Sequence, residues 1–161
     1  MFKFFQKENL PEVKDTDIVS PANGNMIPIE NVKDPVFAQK MMGDGMAFEL
    51  EGDKADIASP ANGTLSVMYS TGHAFGVTTK EGVEILIHIG IDTVNAAGEG
   101  FAAKKKQGDE VRAGETIVTA DVKKLKSTYD MTTMLVITDA NGKEIGFMPG
   151  RRVSKGEVIN L

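Results

Sequence analysis

The chain has no cysteine and no tryptophan, and only two histidines among its 161 residues. Without cysteine there is no disulfide, no thiolate zinc site and no thiol nucleophile, a composition that suits a reducing compartment and leads us to expect a cytoplasmic protein. Positive charge is also short. Eighteen Lys and Arg against 23 Asp and Glu give a net charge of −5, whereas a nucleic-acid reader is normally basic. Nucleic acid is therefore not an expected partner. No apolar run approaches the ~20 residues that span a bilayer. No segment keeps a long 3.6-residue period either, so helices longer than a turn or so are not expected.

What is present is glycine, 17 of them, in a chain that is 41% apolar. Many tight turns and a sizeable core point to one domain of mainly antiparallel β-structure. Residues 1–17 read as a flexible lead-in and residues 18–161 as the single domain, with Met1 pointing to a free-standing chain. The first seven, Met1-Phe2-Lys3-Phe4-Phe5-Gln6-Lys7, read either as a frayed terminus or as a weak amphipathic contact for a membrane surface.

Two internal repeats stand out. Ser20-Pro21-Ala22-Asn23-Gly24 returns as Ser59-Pro60-Ala61-Asn62-Gly63, 39 residues on. Gly108-x-x-Val111-x-x-Gly114-Glu115-x-Ile117 returns as Gly150-x-x-Val153-x-x-Gly156-Glu157-x-Ile159, 42 residues on. Two matches at similar spacing imply a duplicated β-unit, with two similar sheets packed face to face. Only short helical turns are expected, one after Asp34-Pro35 and one over Asp121–Lys126. Val36, Phe37, Met41 and Met42 lie in a loop-like stretch, either tucked into the core or offered to a partner.

Both histidines fall in one predicted hairpin, residues 71–92, folded about Thr79-Lys80-Glu81-Gly82. A four-residue loop there makes Thr78 face Val83 and sets His73 opposite His88. Two adjacent imidazoles suit three tasks: half of a zinc site, helped by Asp92 or Asp44; an acid–base pair; or a phosphoryl-carrying nucleophile with a hydrogen-bonding neighbour. The third fits the local sequence best. A neutral imidazole is nucleophilic at pH 7, and Leu86, Ile87, Ile89 and Val94 would give a dry rim. Thr71, two residues before His73, shares its strand face and is placed to orient its ring.

The chain resembles the glucose-family IIA proteins of the phosphoenolpyruvate-dependent sugar phosphotransferase system. The likeness runs through Ser20-Pro21, Asp34-Pro35-Val36-Phe37, Met41-Met42-Gly43-Asp44-Gly45, Ser59-Pro60, His73-Ala74 and Val83–Val94, then Gly98-Glu99-Gly100-Phe101. It implies a β-sandwich, of barrel-sandwich type, built on a duplicated hybrid motif. It implies a phosphotransferase in which His88 takes a phosphoryl group from phospho-HPr and passes it to the IIB domain of a sugar permease. His73 would stabilise that group and Thr71 would orient His73. Val36, Phe37, Tyr69, Leu86 and Val94 would form an apolar contact face ringed by Asp34, Asp44 and Asp92. No cofactor is required by this chemistry. Zinc held by His73 and His88 at a partner interface, and a regulatory role set by phosphorylation state, are secondary implications. The sequence departs from the family pattern at Asn95-Ala96-Ala97, at Thr133-Met134 and at Gly72.

Two rival readings remain. Asp53-Lys54-Ala55 matches the signature of lipoyl and biotinyl carrier modules, which would be modified at Lys54. A metallohydrolase would need at least one more histidine.

Overall fold

The computed structural model describes residues 8–161; the expected membrane-surface contact of residues 1–7 lies outside them. Eleven strands and a few single helical turns make up the described chain. The strands are β1 (Gly24–Pro28), β2 (Gly45–Leu50), β3 (Lys54–Ala58), β4 (Gly63–Met68), β5 (Ala74–Thr79) and β6 (Glu84–Ile89). They continue with β7 (Phe101–Ala103), β8 (Glu110–Val111), β9 (Thr116–Asp121), β10 (Thr133–Asp139) and β11 (Arg151–Val153). One-turn helices occur at α1 (Pro35–Ala38) and α2 (Val122–Leu125). Both sit where the sequence places them, because Asp34 and Asp121 cap them by accepting hydrogen bonds from Val36 N and Lys124 N.

All strand pairs are antiparallel. Eight strands form one sheet in the order β11-β1-β2-β10-β6-β5-β4-β8, and three form a second in the order β3-β9-β7. The two sheets share one core but are unequal, not the matched pair the repeats suggested. Phe48, Leu65, Phe75, Ile85 and Ile87 of the large sheet meet Ile57, Ile117, Val118 and Ala120 of the small one, all fully or almost fully buried. Period-two alternation produces this directly. In β6, Ile85, Ile87 and Ile89 point into the core while Leu86 and His88 face out.

The duplication is visible bond by bond. Ser20 Oγ and Ser59 Oγ each donate to a carbonyl two residues on, at 2.7 Å in both copies. Gly156 N donates to Ser20 O and Gly114 N to Ser59 O, both at 2.9 Å. Asn23 Oδ1 accepts from Lys155 N and Asn62 Oδ1 from Ala113 N. The copies also bond each other, Val19 N to Pro60 O and Ala58 N to Pro21 O. Each Ser-Pro-Ala-Asn-Gly turn is thus the receptor for one Gly-x-x-Val-x-x-Gly turn, which is why the two motifs recur together. The lead-in lies over the two Gly-x-x-Val-x-x-Gly turns. Glu8 accepts from Thr116 N, Thr116 Oγ1 and Lys155 Nζ, and Pro11 packs on Gly114 and Gly156.

The outer face of the large sheet carries a second small core. Residues 29–38 fold over it, burying Ile29, Val32 and Phe37 against Ala47, Met134 and Val136. The open end of this cover exposes His88.

Candidate functional site

The hairpin of β5 and β6 turns through a three-residue loop, not four. Thr79 N donates to Val83 O, and Gly82 N to Thr79 O. Gly82 takes φ +82°, the left-handed residue that closes a turn with a bulge. The register moves by one residue, so Ala74, not His73, lies directly opposite His88. The histidines still meet. His73 stands just before β5, after Gly72 at φ +74°, and is released from strand alternation. Its ring centroid is 5.1 Å from that of His88, with the planes near perpendicular at 81°.

Four rings form a row. Phe37 lies 5.2 Å from His88, and Tyr69 lies 5.2 Å from His73 on the other side. Phe37 is only 6% exposed and is the floor under His88, whereas Val36, Met41 and Met42 face out. The apolar loop residues therefore divide between core and surface. Tyr69 is 46% and Val94 51% exposed, large values for such side chains. Leu86 is half-buried, next to a depression of about 190 Å³ lined with Met42, Val67 and Tyr69. Gly76, opposite Leu86 and without a side chain, also lines it. Ile87 and Ile89 belong to the main core and do not contribute to the rim expected of them.

The acidic residues differ in their ties. Asp34 caps α1, Asp44 pairs with Lys40 at 3.2 Å, and Asp92 stands exposed in the left-handed region at φ +60°. Lys54 starts β3, exposed and opposite Asp121, on a different sheet from the histidines. A concavity of about 620 Å³ between Asp17, Thr79, Val83 and Leu161 opens at the far end of the hairpin and contains neither histidine.

Each imidazole is held by its Nδ1. His88 Nδ1 lies 2.7 Å from the carbonyl oxygen of Gly90. A carbonyl only accepts, so Nδ1 carries the proton and the Nε2 lone pair is free. His73 Nδ1 is 2.5 Å from Thr71 Oγ1, the contact expected from sequence, although Thr71 belongs to a turn and not to the strand. The Gly90 carbonyl was not foreseen; the Gly two residues after His88 was the only signal for it.

Burial lowers the pKa of both rings, with the charge of His88 a further cause for His73. At His88 the Gly90 bond, Asp34 and Asp92 act against burial without overcoming it. Both rings are thus neutral at pH 7 when folded, while in the unfolded chain they titrate near the ordinary 6.5. As pH falls below that value the unfolded state binds more protons, so the stability present above it is lost on the acid side. A His73→Gln/His88→Gln double variant should lose less Tm than the parent between pH 7 and pH 5. Equal losses in thermal scans would contradict this.

No group of three or more His, Asp or Glu is arranged to hold a metal among the described residues. The two rings offer two nitrogens, so a zinc ion would need further ligands from another molecule. No described helix is long and apolar enough to cross a membrane.

A neutral, half-exposed nucleophilic nitrogen, backed by a second imidazole inside an apolar face, is equipped for group transfer between proteins. A profile described as "phosphoenolpyruvate-dependent sugar phosphotransferase system, EIIA 1" matches residues 16–143. A glucose-specific EIIA component of Oceanobacillus iheyensis is 39% identical over 159 residues, covering 98% of this chain and 95% of its own. A glucose-specific EIICBA component of Streptococcus pneumoniae is 42% identical over 133 residues, 81% of this chain but 18% of that longer polypeptide. The solved glucose permease IIA of Mycoplasma capricolum matches 98% of both chains, with a TM-score of 0.83 and 34% identity. The chain belongs to the EIIA 1 family of the phosphoenolpyruvate-dependent sugar phosphotransferase system.

Proposed function

We propose that this chain is a cytoplasmic phosphoryl carrier of the sugar phosphotransferase system, with His88 Nε2 as the nucleophile. The observation that carries the reading is the 2.7 Å bond from His88 Nδ1 to the Gly90 carbonyl, which leaves the Nε2 lone pair free. Nε2 attacks the phosphorus of phospho-HPr; the N–P bond of the donor histidine breaks as the new N–P bond forms. Positive charge develops on the His88 ring, and the Gly90 carbonyl strengthens its hold on Nδ1–H as it does. Asp34 and Asp92 favour the same charge. The Thr71 hydroxyl donates to His73 Nδ1, which sets Nε2–H of His73 to donate to a phosphoryl oxygen. In the second transfer a thiolate of the IIB domain attacks phosphorus, and His88 returns to its neutral form.

The surrounding face suits protein partners. Val36, Tyr69, Leu86 and Val94 provide apolar contact, and Asp34, Asp44 and Asp92 give it an acidic margin. A phosphoryl group adds about −1.5 to −2 charges at its centre, so a regulatory partner could distinguish the two forms. The transfer runs without a cofactor; zinc bridging the two imidazoles to a partner's ligands is a second use of the same nitrogens. Incubation with phosphoenolpyruvate, enzyme I and HPr should give close to one acid-labile phosphate per chain. Absence of label with active upstream proteins would overturn the proposal.

A further inference from the structure

We propose that Thr93 is a positioning residue for His88, acting through the Ile89 and Gly90 peptides. The inference rests on the phosphoryl-carrier reading for its rate prediction, though not for its structural one. Thr93 is fully buried, and its hydroxyl donates to Ile89 O at 2.5 Å. The N–H of Ile89 donates to His73 O at 2.7 Å. Ile89, between His88 and Gly90 in sequence, is therefore clamped at both ends: on one side by the backbone of the other histidine, on the other by Thr93.

Gly90 is where the clamp acts. It takes φ +80°, which turns its carbonyl back towards the His88 ring. The peptide before it is fixed by the Thr93 hydroxyl; the peptide after it is fixed by Ile91 N donating to Asp130 O at 2.8 Å. Thr93 also fills the space beside it, for a Cβ on Gly90 would meet Thr93 Cγ2 at 2.5 Å and Met131 Sδ at 3.0 Å. One side chain thus does two things: its hydroxyl orients the peptide, and its methyl blocks the alternative position. Without the hydroxyl the buried Ile89 carbonyl loses its side-chain partner, and rotation about Gly90 becomes the way to relieve it. The carbonyl that holds the His88 proton on Nδ1 would then be poorly aimed. The ring would populate the tautomer with the proton on Nε2, which is not nucleophilic there.

Thr93→Val, equal in shape, tests the hydroxyl, and Thr93→Ser, which keeps it, is the rescue. Ring 15N chemical shifts of the unphosphorylated full chain report the His88 tautomer independently of any transfer assay. Wild type and Thr93→Ser should show protonated Nδ1. Thr93→Val should show a mixed population and accept phosphoryl groups about tenfold more slowly, the effect of one lost buried hydrogen bond. Unchanged shifts in Thr93→Val overturn the proposal, even with a slower rate, since a loosened fold alone would slow transfer. Failure of Thr93→Ser to restore the shift overturns it as well. A wild type that is never labelled counts against the carrier reading and leaves the tautomer result to decide the role of Thr93.

Discussion

Replacing His88 with Gln abolishes labelling by phosphoenolpyruvate, enzyme I and HPr, to the background of the assay. The glutamine amide can occupy the place of the ring and still donate to the Gly90 carbonyl. It has no lone pair on nitrogen to offer phosphorus, so the loss is of chemistry and not of shape. The fold should persist. His88 faces outward on β6, and the residues on either side of it, Ile87 and Ile89, hold the strand in the main core. A Tm within a few degrees of the parent, together with absent label, separates the two. Full labelling of this variant would sink the assignment.

Replacing His73 with Gln divides the two half-reactions. Label should still enter, because the His88 nucleophile and its bond to the Gly90 carbonyl are left in place. Onward transfer to a IIB domain should fall roughly 100- to 1000-fold, the usual loss when one preorganised donor to a developing anion is removed. The asymmetry has an electrostatic cause. In the second transfer an anionic thiolate approaches an anionic phosphoryl group beside Asp34 and Asp92, which lie close enough to act on the His88 ring. In the proposed mechanism the Nε2–H of His73 is the donor set against that accumulation, its Nδ1 being engaged with Thr71. Single-turnover transfer from the purified phosphoprotein measures it. Equal onward rates in parent and variant would contradict the division of roles between the histidines.

The hairpin was legible in the sequence because apolar alternation and a terminal Gly are local signals. Its register was not, since whether Thr79 belongs to the loop or to the strand is decided by the turn type, which the left-handed φ of Gly82 sets. The error would have separated the histidines had both been in regular strands. Gly72 spared them by bringing His73 in from a turn. The repeated motifs correctly signalled duplication, and the structure gives the reason: each copy of one motif binds a copy of the other. The unequal sheets could not be read from them, because strand number depends on which edges meet in space. Ile87 and Ile89 looked like rim residues in a continuous apolar run; alternation sends them inward and leaves only Leu86 beside His88. The roles of Gly90 and Thr93 escaped for a different reason. They act through backbone carbonyls, and nothing in a residue's name says where its carbonyl points.

The central claim is that the phosphoryl group is carried on Nε2 of His88 while Nδ1 keeps its proton on Gly90. Phosphorus–nitrogen correlation NMR on the uniformly 15N-labelled phosphoprotein tests it most directly. The account predicts coupling of phosphorus to His88 Nε2, with a protonated Nδ1 on the same ring. Coupling to Nδ1 of His88, or to either nitrogen of His73, would contradict it.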